Sequence, residues 1–183
     1  MPTIFTHPAV PLALGLGLTR KIISGRLLVA GMALSALPDL DVIAFRFDIP
    51  YAAALGHRGF SHSLAFAGAA ALCLACAAPL LGTSFRRAFP FLFLSMASHG
   101  LLDAFTNGGS GIALLWPFSA ERYFAPIQVI EVAPISVSRF FSARGAQVLL
   151  SELRWIWAPC AAVLLIRGAA LAGRRLTRTR QDR

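Results

Sequence analysis

The composition of this chain is that of a membrane protein. Its 183 residues are enough for one domain, 57% of them are hydrophobic and only 14% are charged, whereas a soluble domain carries about 25% charged residues. The formal net charge of +9 would also suit nucleic acid, but the arginines stand at the ends of apolar runs and in the C-terminal tail. We therefore expect these basic residues to interact with anionic membrane lipids rather than with DNA or RNA.

Two short apolar runs open the chain, at residues 8–18 and 27–37. Each has about a dozen residues, fewer than the roughly 20 that cross the hydrocarbon core of a bilayer. Pro38 predicts the end of the second run, because proline disfavours helical geometry in the residue before it. Asp39 and Asp41 should then lie at a helix exit or in the turn after it.

Three longer apolar segments follow. Ser61 is expected to cap a helix that runs to about residue 81, since its hydroxyl can accept a hydrogen bond from a free backbone N–H. A second span is predicted over residues 88–106, where Asn107-Gly108-Gly109 ends it, and a third over residues 148–171. The segment between the last two is interrupted by prolines and predicts a long loop with short helices.

The predicted fold class is therefore all-α. We expect a polytopic helical membrane protein with about three full spans plus two short N-terminal apolar helices. Residues 1–172 form a single membrane-embedded domain, and residues 173–183 form a basic tail that we expect to be disordered.

The distribution of basic residues predicts the orientation. If the chain crosses the membrane alternately, one side receives eleven of the 17 basic residues and the other side receives six. The larger set consists of Arg20, Lys21, Arg26, Arg86, Arg87, Arg167, Arg174, Arg175, Arg178, Arg180 and Arg183. The positive-inside rule makes that side, and with it the tail, cytoplasmic.

Histidine and aspartate occur in tight clusters within this apolar sequence. The clustered residues, with one histidine ahead of the first apolar run, are His7, Asp39, Asp41, His57, His62, His99 and Asp103. Such side chains are costly in an apolar setting unless they are paired, neutral or bound to metal, and they are the types that bind divalent metals. The alternating topology brings all of them to the non-cytoplasmic face, so we predict one His/Asp site there.

Each cluster also has a simpler interpretation. His99 and Asp103 share one helix face, where they could bind one metal ion or two, or only hydrogen-bond to each other. His57 and His62 could face inward around a turn at Gly59, or lie at the membrane surface as unrelated histidines.

The remaining candidates leave similar alternatives open. Asp39 and Asp41 could divide into a ligand and a supporting residue, or form an ordinary solvated turn. The Arg58 guanidinium could bind a phosphate or pair with Asp39 or Asp41. His7 could be a ligand or simply a polar residue before Pro8.

At these clusters the chain resembles the YdjM-like family of membrane-bound, metal-dependent hydrolases. The matching motifs cover about residues 4–124 and are Leu37-Pro38-Asp39-Leu40-Asp41, His57-Arg58-Gly59, Ser61-His62-Ser63, His99 through Asp103 with Thr106 and Gly108, and Leu114-Leu115-Trp116-Pro117-Phe118-Ser119 with Arg122. That family is distantly similar to zinc-dependent phospholipase C and related all-helical nucleases, which bind a zinc cluster through His and Asp. The resemblance implies a bacterial inner-membrane location and metal ligation by all seven clustered residues.

The expected function is hydrolysis of a phosphoester, in a lipid or lipid-linked substrate, by metal-activated water. One to three divalent ions are implied, with zinc preferred for mixed His/Asp ligands. Asp41 or Asp103 would accept the proton, and Arg58 would stabilise the developing charge. The alternative is a non-enzymatic membrane protein, either a metal or proton transporter or an interaction module. A transporter would hold its ionisable residues near the bilayer midplane, whereas here they stand at helix ends.

Overall fold

The computed structural model describes residues 1–19 and 21–181, and within them the regular secondary structure is helical, as predicted. Isolated β-bridges join Thr106 to Ile130 and Ile112 to Tyr123 in the long loop. The α-helices are α1 (Ala9–Gly17), α2 (Gly25–Ala36), α3 (Leu64–Ala75), α4 (Phe85–Ala104), α5 (Val137–Phe140), α6 (Ala143–Glu152) and α7 (Ala158–Gln181). Two 3₁₀ helices (Leu37–Phe47 and Phe60–His62) and a π-helix (Leu153–Trp157) complete the described elements.

Two continuous helical stretches are long and apolar enough to cross a membrane, Gly25–Phe47 with 23 residues and Ala143–Gly173 with 31. The prediction of about three full spans plus two short helices is therefore wrong in its count. The predicted span 61–81 shrinks to α3, because the chain leaves the helix after Ala75 in a series of turns. Although α4 has 20 residues, Arg86 and Arg87 in its first turn and Pro90 lower its hydropathy.

The second apolar run belongs to a longer helical stretch than predicted, because Pro38 does not start a turn. The α-helix ends at Ala36, as the proline predicts, but the chain continues as the 3₁₀ helix Leu37–Phe47 with Pro38 in its first turn. Proline is tolerated in the first turn of a helix, where its missing N–H has no partner to lose. Asp39 and Asp41 consequently lie on this 3₁₀ helix.

Two further expectations need correction. Ser63, rather than Ser61, caps α3 by accepting a hydrogen bond from the Phe66 N–H at 3.1 Å. The helix α7 also extends through the tail as far as Gln181, because arginine and leucine are good helix formers and prolong a helix that has already begun. Arg20 and Arg183, which were counted in the charge argument, lie outside the described residues.

The core lies between α2, α3 and α4. Ala67, Ala71 and Ala75 repeat every four residues on one face of α3 and are at most 2% exposed. A Cβ at Gly31 of α2 would lie 2.5 Å from a Phe91 ring carbon of α4. Small side chains thus let these helices approach closely. In contrast, only 6% of the most apolar part of Ala143–Gly173 is buried inside the protein. This helical stretch therefore offers a large apolar surface to lipid.

The two ends of this helical bundle differ in chemistry. At one end, the Arg87 guanidinium donates to the Lys21 carbonyl at 3.0 Å and Arg26 donates to the Leu80 carbonyl at 3.3 Å. The Arg167 side chain lies beside Gly17 at this same end. The opposite end carries the His and Asp clusters, which precede α1 and α3 and occupy the last turns of α4.

Candidate metal centre

Four side chains from three elements meet at the histidine-rich end. Asp39, His62, His99 and Asp103 are buried and can each offer one ligand atom such that all four atoms lie within 4.8 Å of one another. These atoms come from the 3₁₀ helix after α2, the short 3₁₀ turn before α3, and α4. The fold therefore brings together four of the seven residues that were predicted to share one site.

His99 is oriented by the backbone of α2. Its Nδ1 lies 2.7 Å from the Ser35 carbonyl oxygen, an acceptor, so Nδ1 must carry the proton and Nε2 is left bare. That bare Nε2 lies 3.0 Å from His62 Nε2 and 3.5 Å from Asp39 Oδ1. Metal-binding histidines characteristically donate their other N–H to a carbonyl or carboxylate in this way.

His62 is held in the same manner by a carboxylate. Its Nδ1 lies 3.2 Å from Asp41 Oδ2, and its Nε2 lies 3.2 Å from Asp103 Oδ2. Burial by itself lowers the pKa of His62, but these two carboxylates outweigh burial and raise this pKa to about 9. A cation that entered the site would displace that proton from His62.

Asp41 and His57 stand behind the group of four. Asp41 accepts hydrogen bonds from Ser61 Oγ at 2.6 Å and from the Arg58 N–H at 3.0 Å, and His57 Nδ1 lies 2.5 Å from its Oδ1. Both residues were predicted as ligands. In the structure Asp41 contacts both His62 and His57, and ligation of a metal by these two residues stays a prediction.

Asp39 is the residue whose chemistry most needs a cation. It is 2% exposed, and neither of its carboxylate oxygens accepts a hydrogen bond from any residue in the described part of the chain. A buried carboxylate without donors is strongly destabilised. The donor set of two carboxylates and two imidazoles fits a divalent metal such as zinc, so the residues present suit the ion that the resemblance implies.

His7 lies over this group as a fifth candidate ligand. Its ring stacks on His99 with centroids 3.6 Å apart, and its Nε2 lies 3.7 Å from both Asp39 Oδ2 and Asp103 Oδ1. Burial lowers the pKa of His7 to about 3, which keeps the imidazole neutral, the form that binds metal.

Arg58 is buried, and its side chain pairs with Asp103 rather than with Asp39 or Asp41, the pairing that the sequence left open beside phosphate binding. Its Nε lies 3.2 Å from Asp103 Oδ2. Its two terminal nitrogens donate to Thr106 Oγ1 at 2.9 Å and to the Gly108 carbonyl at 2.8 Å. The guanidinium thus contacts Asp103 and connects α4 to the loop after it.

Arg122 supports the loop that carries His57 and Arg58. Its Nη1 donates to the carbonyls of His57 and Arg58 at 3.2 and 3.4 Å, and its Nη2 donates to those of Tyr51 and Ala53 at 3.1 and 3.2 Å. The family motif contained Arg122, but its sequence position gave no sign of this role, because its partners are backbone carbonyls far away in the chain.

A cavity of about 430 Å³ opens beside the group, and its wall includes Tyr51, His57, Gly109, Val132 and Arg139. Gly109 has a φ of +86°, and a Cβ there would lie 2.7 Å from both the Arg58 guanidinium and the Tyr51 hydroxyl. The glycine therefore lets the loop after α4 pass close to Arg58. His57 is the candidate site residue that lines this cavity.

Comparison with known proteins identifies relatives among inner membrane proteins. A family model described as YdjM inner membrane protein matches residues 1–176. The inner membrane protein YbcI of Escherichia coli (strain K12) is 50% identical over 160 residues, which are 87% of this chain and 92% of that relative. No solved structure matches the chain.

Proposed function

Since the chain belongs to the YdjM inner membrane protein family, we propose that it is a metal-dependent hydrolase of the inner membrane that cleaves a phosphoester in a lipid or lipid-linked substrate. The observation that carries the proposal is the buried group of Asp39, His62, His99 and Asp103, with an Asp39 carboxylate that no described donor satisfies. Zinc is the proposed ion because imidazole and carboxylate ligands are combined.

The four grouped side chains, with His7 beside them, would hold the metal. When bound, a zinc ion lowers the pKa of a water molecule enough to supply hydroxide near neutral pH. Ser35 and Asp41 fix the ring orientations of His99 and His62, so the ligand atoms are in place before any ion arrives. Such preorganised supports are worth about 10–100-fold in metal affinity.

His57 and Asp41 are the groups that we propose to move the proton. His57 lines the cavity and shares its Nδ1 hydrogen bond with Asp41, which in turn contacts His62. The pair therefore extends from the ligands to the open side of the site. Asp103, in contrast, is engaged by Arg58 and His62, so Arg58 stabilises the charge of Asp103 rather than contacting a substrate phosphate directly.

A lipid substrate is supported by the apolar surface next to the site. The 3₁₀ helix that carries Asp39 and Asp41 exposes Leu40 by 57%, Ile43 by 61% and Phe47 by 70%. A groove lined by Ile43, Phe47, Asp41 and other residues runs along it. A lipid lying against this surface would place its headgroup ester near the polar end of the molecule.

We also propose that the site faces the non-cytoplasmic side. Lys21, Arg26 and Arg87 lie together at the end of the bundle opposite the His/Asp clusters, and the positive-inside rule then assigns that end to the cytoplasm. A site at one end of the molecule suits an enzyme better than a transporter, whose site must open to both faces.

The test compares wild type with Asp103→Asn after purification in detergent. Asp48→Asn is the matched control, because Asp48 is exposed and has a φ of 53°, which asparagine adopts readily. Wild type and the control should contain zinc and hydrolyse phospholipid, while Asp103→Asn should lose both properties. A wild-type protein that binds no metal and cleaves no phosphoester would contradict the proposal, and zinc uptake into vesicles that requires His99 would favour the transporter.

A further inference from the structure

We propose that Glu152 is the positioning residue for His7 and so sets the fifth side chain of the candidate metal centre. This inference rests on the metal binding proposed above but not on hydrolysis. It concerns a part of the chain, the C-terminal helical stretch, to which neither the clusters nor the motifs assigned a role.

Glu152 is a buried acid with partners at the other end of the sequence. It is 1% exposed, and its carboxylate accepts hydrogen bonds from Thr3 Oγ1 at 2.8 Å and from Thr6 Oγ1 at 2.7 Å. The Thr3 backbone N–H also donates to it. The carboxylate therefore satisfies three donors of the short segment that leads into His7.

The π-helix after Glu152 adds a second point of attachment. The Trp157 indole N–H donates to Thr6 Oγ1 at 3.1 Å, so both Glu152 and Trp157 contact the same threonine. These residues are five apart, and in an ordinary α-helix they would point in different directions. In a π-helix hydrogen bonds join residues five apart, which brings the two side chains to one face. Single π-turns of this kind occur frequently at functional sites.

His7 depends on this attachment for its place. Neither of its ring nitrogens has a hydrogen-bond partner among the described residues, and its remaining contacts are the stack on His99 and the two carboxylates at 3.7 Å. Turn hydrogen bonds from Thr6 N to the Thr3 carbonyl and from Ala9 N to the Thr6 carbonyl make residues 3–9 one stiff unit. Moving Thr6 therefore moves the His7 ring.

A purely structural role for Glu152 makes a different prediction. If Glu152 only anchors the C-terminal helix, its loss should lower thermal stability and leave the ligands of the metal unchanged. If it positions His7, its loss should alter the coordination of the metal in the same way as loss of His7 itself. Cobalt(II) distinguishes these cases, because its visible absorption reports the ligand number and geometry.

The experiment loads detergent-purified wild type, Glu152→Gln, His7→Ala and the double variant with cobalt(II), and measures the spectrum and the metal affinity of each. The glutamine keeps the size of the side chain but turns an NH₂ group toward donors that need an acceptor. We expect Glu152→Gln to reproduce the His7→Ala spectrum, to weaken cobalt binding about tenfold, and to cause no further loss in the double variant. Glu131→Gln is the matched control, since Glu131 pairs with Arg144 at 2.7 Å on the surface.

Each result decides between the possibilities. An unchanged cobalt spectrum in Glu152→Gln, or losses that add in the double variant, would overturn the positioning role while leaving the metal centre intact. A wild type that binds no cobalt or zinc would instead reject the proposed function. If Glu152→Gln does not fold, Trp157→Phe removes only the second attachment, and it should shift the spectrum in the same direction by a smaller amount.

Discussion

Arg58 shows how much of the site depends on one buried side chain. It is 0% exposed and has a φ of 61°, a conformation that costs a residue other than glycine about 1–3 kcal/mol. Its backbone N–H donates to Asp41 while its guanidinium forms an ion pair with Asp103, so one residue connects the support of His62 to a candidate ligand. From the sequence, Arg58 was expected to bind a phosphate or to pair with Asp39 or Asp41. Asp103 was not among these candidate partners, because it lies on α4, 45 residues away in the chain.

Arg58→Lys should therefore damage both stability and metal binding. A lysine ammonium cannot reproduce the fork that reaches Asp103, Thr106 and Gly108 together, and breaking a buried pair costs about 3–5 kcal/mol. We expect a clear fall in the thermal midpoint and a loss of zinc, measured in detergent by scanning fluorimetry and metal analysis. Arg46→Lys on the exposed end of the 3₁₀ helix should change neither, and equal behaviour of the two variants would contradict this account.

A glycine allows α4 to lie close to the turn that carries His62. A Cβ at Gly100 would lie 2.8 Å from the His62 carbonyl and 3.5 Å from Ile112 Cδ1. Either α4 or the turn that carries His62 would have to move away. His99, the next residue, would then separate from His62.

Gly100→Ala should consequently weaken zinc binding although alanine is the better helix former. The matched variant is Gly168→Ala, because Gly168 is exposed on α7 and a Cβ there would meet nothing within 4 Å. We expect Gly168→Ala to retain zinc and to gain up to about 1 kcal/mol of stability. Zinc titration of the two purified proteins tests the difference, and a Gly100→Ala protein with normal affinity would show that the contact is easily relaxed.

The sequence predicted helix ends that depend on local chemistry. Pro38 ended α2 and Asn107 followed the end of α4, because each residue acts on its own backbone.

The sequence did not predict features that depend on residues far away in the chain. The Ser61 hydroxyl donates a hydrogen bond to Asp41 and does not cap α3. The π-helix has no sequence signal apart from Glu152, a lone acid in an apolar segment.

For the whole molecule, the separation of charge predicts a fixed orientation. A fluorescent protein fused after the tail should be bright, and alkaline phosphatase at the same point should be inactive, because both report a cytoplasmic tail. A cysteine in place of Phe118, which is 91% exposed in the loop near the site, should react with an impermeant maleimide added outside spheroplasts. An active phosphatase fusion would reverse the orientation and move the site to the cytoplasm.

The hydrogen bonds between Glu152 and Thr3 join residues 149 positions apart in the chain. A ribosome adds about 5–20 residues each second, so Glu152 is synthesised on the order of ten seconds after the segment before His7. During synthesis His7 therefore remains unanchored until the last helical stretch has entered the membrane. If Glu152 positions His7 as proposed, the centre would be completed only after insertion of that stretch, and a nascent protein that lacks it would carry a four-residue site with an unfixed fifth histidine.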